Sequence, residues 1–124
     1  MARLALYLVH RIGRKHHRKA KSLLEAVSDQ PWGASSVTLA ETLVSPARAG
    51  YLEEVETVLV GLDVQALPFG AGAPGRMAEM RAQLGLKMPD CCVLLAAQNN
   101  DATVASFDVG LLAAARKLGL KAAG

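Results

Sequence analysis

The chain holds 124 residues, 52% apolar and 20% charged, which excludes a disordered polypeptide and fits one domain around one core. Its longest uninterrupted apolar run, Cys91 to Ala97, is far short of the roughly 20 residues a membrane span needs. The two cysteines are neighbours, so a disulfide-built fold is excluded as well. The net charge of +3 is unevenly spread: residues 1–21 carry seven basic groups and no acid, whereas residues 22–124 carry seven basic against eleven acidic groups, a net −4.

Leu4 to Val9 is apolar but too short for the core of a signal peptide, and His10-Arg11-Ile12-Gly13-Arg14-Lys15 follows in place of a cleavage site. The run reads instead as a strand covered on both faces, and a cytoplasmic protein is expected. Residues 15–27 predict a helix with Ala20, Leu23, Leu24 and Val27 on one face and basic groups opposite. Ala34 to Val37 predicts a short strand. Thr38-x-x-Glu41 has capping-box spacing and starts a helix to about Ala49. Leu52, Val55, Val58 and Leu59 repeat at helical spacing over 51–60, and Leu62 to Leu67 alternates like a strand. Gly70, Gly72, Pro74 and Gly75 form a loop before a helix carrying Met77, Met80 and Leu84, with Gly85 as its C-cap.

Pro89 at a first helical position opens an almost wholly apolar helix to Gln98, which must be buried. Asn99-Asn100-Asp101 is a turn, Ala102 to Phe107 a strand, Val109 to Leu118 a helix ended by Gly119, and Leu120 to Ala122 a last strand. Strands alternating with helices predict an α/β domain over 1–124 with a mainly parallel sheet, whose ligands sit beyond the carboxyl ends of the strands.

Three carboxylates stand where apolar patterning makes charge costly. Glu41 lies one turn into an otherwise apolar helix start, Asp90 heads the buried helix, and Asp108 follows a central strand. Each has a plain structural role open to it: Glu41 as the return half of the capping box, Asp90 as a helix N-terminal acid, Asp108 as an N-cap. If they converge, they repel, and a divalent cation is the usual relief; hard oxygen ligands suit Mg²⁺ or Mn²⁺. Such an ion activates water for phosphodiester hydrolysis.

Val37-Thr38-Leu39-Ala40-Glu41, Gly85-Leu86-Lys87-Met88-Pro89-Asp90 and Thr103-Val104-Ala105-Ser106-Phe107-Asp108 together resemble a PIN domain of the VapC toxin type. The order of the acids, their separations of 49 and 18 residues and the element types all match, and Lys87-Met88-Pro89-Asp90 before an apolar helix is the most specific piece. The resemblance implies a three-layer α/β/α sandwich and an Mg²⁺- or Mn²⁺-dependent endoribonuclease with Glu41, Asp90 and Asp108 as metal ligands. It further implies an RNA substrate, a homodimer and a VapB-type antitoxin partner. Ser106 resembles the family's hydroxyl residue two before the last Asp, with a role in orienting phosphate or water.

The chain departs from the family at its first strand, which normally ends in an Asp; here Val9 occupies that position and no acid precedes Glu25. Fewer anionic ligands weaken a divalent site. A catalytically deficient PIN-like protein, acting by antitoxin or RNA binding, is therefore the alternative reading. Asp101 is a substitute ligand if its turn lies close, and the basic N-terminal segment is a candidate contact for phosphate backbone. No CxxC or HxxxH spacing supports zinc, no Gly-x-Ser-x-Gly supports a serine hydrolase, and Gly70-x-Gly72-x-x-Gly75, with Pro74 inside it, is loop chemistry.

Overall fold

The computed structural model describes the backbone of residues 3–6 and, with side chains, residues 31–106 and 108–124. The expected end of the first strand with Val9, the helix over 15–27, and Phe107 lie outside the described residues.

Five strands, β1 (Arg3–Leu6), β2 (Trp32–Ala34), β3 (Gln65–Ala66), β4 (Ala102–Ala105) and β5 (Ala122–Ala123), form one sheet in the order β3-β2-β1-β4-β5. Every pair is parallel. Ala5 of the central strand stands opposite Gly33 on one side and Val104 on the other, so β2 and β4 end at nearly the same level. Between them the described helices are α1 (Ser36–Ala49), α2 (Leu52–Gly61), α3 (Ala73–Leu84), α4 (Met88–Asn99) and α5 (Val109–Lys117). This is the α/β architecture with a parallel sheet that the alternating elements predict.

The core forms around α4. Cys91 to Ala97 are all buried, as a helix apolar on every side requires, and α4 packs against β1, β2 and β4 and against α1 and α3. Leu94, Leu95 and Val104 are fully enclosed, with Leu67 and Met80 completing the layer. On β4 and β5 lies α5, burying Leu111, Leu112, Ala114 and Ala115. By contrast α2 buries no residue and packs on α1 alone among the stronger contacts, leaving Val58 and Val60 in water.

Local chemistry sets the boundaries. Gly85 sits at φ 65° and donates its N–H to the Arg81 carbonyl, the left-handed C-cap expected of it. Asn99 and Asn100 both donate side-chain N–H groups to the Pro68 carbonyl, at 3.0 and 2.9 Å, tying the β3–α3 connection to the far end of α4.

Four boundaries differ from the sequence reading. The second strand is Trp32–Ala34 rather than Ala34–Val37, because Ser35 caps α1: its Oγ accepts the Thr38 N–H at 3.1 Å and exchanges a 3.0 Å hydrogen bond with the Thr38 hydroxyl. The capping box of Thr38 and Glu41 is thereby displaced one turn upstream. The third strand shrinks from Leu62–Leu67 to Gln65–Ala66, since Leu62 and Asp63 continue the end of α2 through N–H bonds to Val58 and Val60. The fourth stops at Ala105 instead of Phe107, and the last shifts from Leu120–Ala122 to Ala122–Ala123.

Candidate functional site

Chain topology alone brings three helix starts to one edge. From β1 the chain moves to β2 on one side and later to β4 on the other, which makes the carboxyl end of β1 the switch point where open α/β sheets hold ligands. At the end of β2, α1 begins directly after Ser35; past the end of β4, α5 begins after Asp108. A two-residue turn, Asn100-Asp101, joins α4 to β4, so α4 runs back against the strand and its first turn stands over the same carboxyl edge. Each helix start presents the positive end of its dipole there, which lowers the cost of nearby carboxylates and phosphates.

Asp90 occupies the first turn of α4 and is 9% exposed. Its Oδ1 is fully buried and accepts no hydrogen bond among the described residues, although the residue as a whole is engaged in interactions. Glu41 lies on α1 two turns after Ser35, half-buried, and its charge reaches α4. Burial pushes the Cys92 thiol up, and Cys91 and the Glu41 carboxylate push it further. Cys91 is likewise raised, by burial first and by Asp90 second, with Arg81 pulling it down. The head of α4 therefore feels carboxylates from α1 and from its own first turn, and a guanidinium from the end of α3.

Asp108 is half-buried and caps α5, its Oδ1 accepting the Leu111 N–H at 3.1 Å. Ser106 is buried, and its Oγ accepts the Asp108 N–H at 3.0 Å. The plain role foreseen for Asp108, an N-cap, is thus filled, while the one foreseen for Glu41 passes to Ser35 and frees the glutamate. Asp101 sits at φ 50° in the exposed turn that enters β4, at the opposite edge of the sheet from the starts of α1, α4 and α5.

By donor type, carboxylate oxygens on a dipole-positive edge suit a hard divalent cation. Among the described residues, no group of three His, Cys, Asp or Glu side chains, Glu41, Asp90 and Asp108 included, is placed to hold a metal ion. The residues that follow β1, Val9 among them, lie outside the described residues. Cys91 and Cys92 are free, buried thiols in the core helix, where cysteine acts as a small hydrophobe.

Sequence reasoning placed the cap at Thr38 and missed Ser35; both are at most 3% exposed at the start of α1. Ser35-x-x-Thr38 and Thr38-x-x-Glu41 are overlapping cap patterns, so the signal was present but ambiguous. Among the described residues no helix is long and apolar enough to cross a membrane. No curated protein matches the chain closely enough to be called a relative. A model of the PIN domain matches residues 4–117, nearly the whole chain and every carboxylate just described, and the chain therefore belongs to the PIN domain family, whose members are generally metal-dependent nucleases.

Proposed function

We propose that this PIN domain is a divalent-metal-dependent endoribonuclease and the toxin of a VapC-type toxin–antitoxin pair, acting in the cytoplasm as a homodimer under the control of a VapB-type antitoxin. The observation that supports it best is the shared edge: the three helices that carry Glu41, Asp90 and Asp108 all start at the carboxyl end of one parallel sheet.

In this reading Glu41, Asp90 and Asp108 would hold Mg²⁺ or Mn²⁺ only after drawing closer together, since as described they form no ready three-ligand group. The bound ion would supply an acidified water and neutralise charge on the RNA phosphate. The chain's own groups do the rest. Helix N-termini favour the approach of phosphate, Arg81 adds positive charge beside the head of α4, and the basic N-terminal segment offers phosphate contacts. Ser106 belongs to the same set through its bond to the Asp108 backbone.

The family match does not favour the catalytically deficient alternative. Val9 nevertheless predicts weak ion binding, since charge count tunes such sites. The test is Mn²⁺-dependent cleavage of an RNA pool by the unaltered chain, by Asp90→Asn and by Val9→Asp. Cleavage is expected, lost in Asp90→Asn and increased in Val9→Asp. Cleavage that persists in Asp90→Asn at the unaltered rate removes the proposed site.

A further inference from the structure

Among the described helices α2 alone buries no residue, and of the stronger contacts it makes only those with α1. Leu52, Val55 and Leu59 recur at i, i+3 and i+7 and are half-buried, which accounts for the side turned to α1. Tyr51, Val58, Val60 and Leu62 remain exposed, Val60 at 79%. Valine is stiff at χ1 and a poor helix former, so helix propensity does not account for Val58 and Val60.

Charge on the same helix is one-sided. Between Ala49 and Gly75 there is no basic residue, while Glu53, Glu54, Glu56 and Asp63 supply four acids. The rest of residues 22–124 balances seven basic against seven acidic groups, so the net −4 of that part of the chain is concentrated here. Glu53 and Glu54 suit a first helical turn, but Glu56 lies past it. The three glutamate side chains have no hydrogen-bond or ion-pair partner among the described residues. A cavity of about 620 Å³ opens beside the helix, lined among the described residues by Glu53, Glu54, Glu56, Thr57 and Val60.

We infer that the outer face of α2 is a docking surface for an amphipathic segment of another protein, one that carries lysine or arginine beside apolar side chains. The match is twofold. Cationic heads meet the carboxylates, while their methylene stems and the apolar neighbours cover the exposed valines. A second copy of the chain, meeting this face with its own α2, would bring the same four acids together with no base to pair them. RNA would be repelled by those acids. The inference goes beyond the nuclease reading and uses none of Glu41, Asp90 and Asp108.

The experiment uses the full chain and a labelled helical peptide of about 15 residues, leucine on one face and lysine on the other, long enough to cover α2. Fluorescence anisotropy reads binding, circular dichroism the fold, and sedimentation the oligomeric state. Saturable binding is expected. It should weaken about tenfold in the Glu53→Gln, Glu54→Gln, Glu56→Gln triple variant and again in Val58→Ser, Val60→Ser. Salt should weaken binding to the unaltered chain more than binding to the triple variant. Neither variant alters a buried residue, so both should keep their helix content and, if the nuclease reading holds, their RNA cleavage. Binding undiminished in both variants places the peptide elsewhere and overturns the inference. A peptide with glutamate in place of lysine that binds as tightly does the same. Dissociation of a dimer by Val58→Ser, Val60→Ser would show that a second copy covers the face, which also overturns it. Loss of RNA cleavage in Asp90→Asn, or its absence in the unaltered chain, bears on the nuclease reading alone.

Discussion

Removal of the Ser35 hydroxyl separates the two overlapping caps at the start of α1, and with them the structural and chemical roles of Glu41. In Ser35→Ala the Thr38 N–H loses its acceptor, which costs about 1 kcal/mol for a cap of this kind. The Thr38 hydroxyl, 3% exposed, also loses its partner, and an unsatisfied buried hydroxyl adds about 1–2 kcal/mol. The sum is roughly 2–3 kcal/mol, which for a chain of this length lowers the melting temperature by about 10 °C. Glu41→Gln removes no hydrogen bond seen among the described residues, so its melting temperature should stay within about 2 °C while RNA cleavage falls by at least a hundredfold. Differential scanning calorimetry of both variants, with cleavage assayed alongside, is the measurement. Equal destabilisation by the two would mean that Thr38 and Glu41 form the cap after all, and the freed glutamate would vanish from the site.

A β-carbon at Gly33 would stand 2.6 Å from Leu67 Cγ and 2.9 Å from the Gln65 carbonyl oxygen, so Gly33→Ala overpacks the β2–β3 pair and should cost about 1–3 kcal/mol in urea denaturation. A loss under about 0.5 kcal/mol would contradict that packing. Leu95, fully enclosed in α4, should cost about 2–5 kcal/mol when cut to Ala, read from the same denaturation curves. Both thiols have folded pKa values raised by burial, so what they contribute to stability is intact below the unfolded thiol value of about 8.5 and is lost as pH rises through the folded values. Melting temperature should therefore decline at alkaline pH, and less steeply in the Cys91→Ala, Cys92→Ala double variant; identical slopes would refute the burial of the thiols.

Much of the fold was legible because periodicity reports burial directly. The apolar run Cys91 to Ala97 has no polar face, and a helix without one has nowhere to lie but in the core, where α4 lies. Gly85 as a C-cap and the helix over Val109–Lys117 were legible for similar reasons: a φ of 65° suits glycine, and Leu111, Leu112, Ala114 and Ala115 recur at helical spacing. Short edge elements were not. β3 and β5 are two residues each, too brief for alternation to register, and their extent follows from pairing with β2 and β4. The choice between Ser35 and Thr38 as cap was also beyond local pattern, because both spacings are chemically competent and strand pairing through Ala34 decides where the helix can begin.

The candidate site divides along the same line. By itself the sequence determined that Glu41, Asp90 and Asp108 are acids in apolar settings, that Asp90 and Asp108 open helices while Glu41 lies further inside one, and that the lysine-proline turn before Asp90 resembles one family. Residue type and spacing carry that much because a charge is costly wherever its neighbours are apolar. Only the tertiary structure decided that Asp101 belongs to the opposite edge, that Glu41 is relieved of capping duty, and that Asp108 spends one oxygen on Leu111. Those are facts of chain direction and hydrogen-bond competition. A strand order of β3-β2-β1-β4-β5 with every pair parallel turns separations of 49 and 18 residues into one edge, and no spacing along a chain contains that geometry.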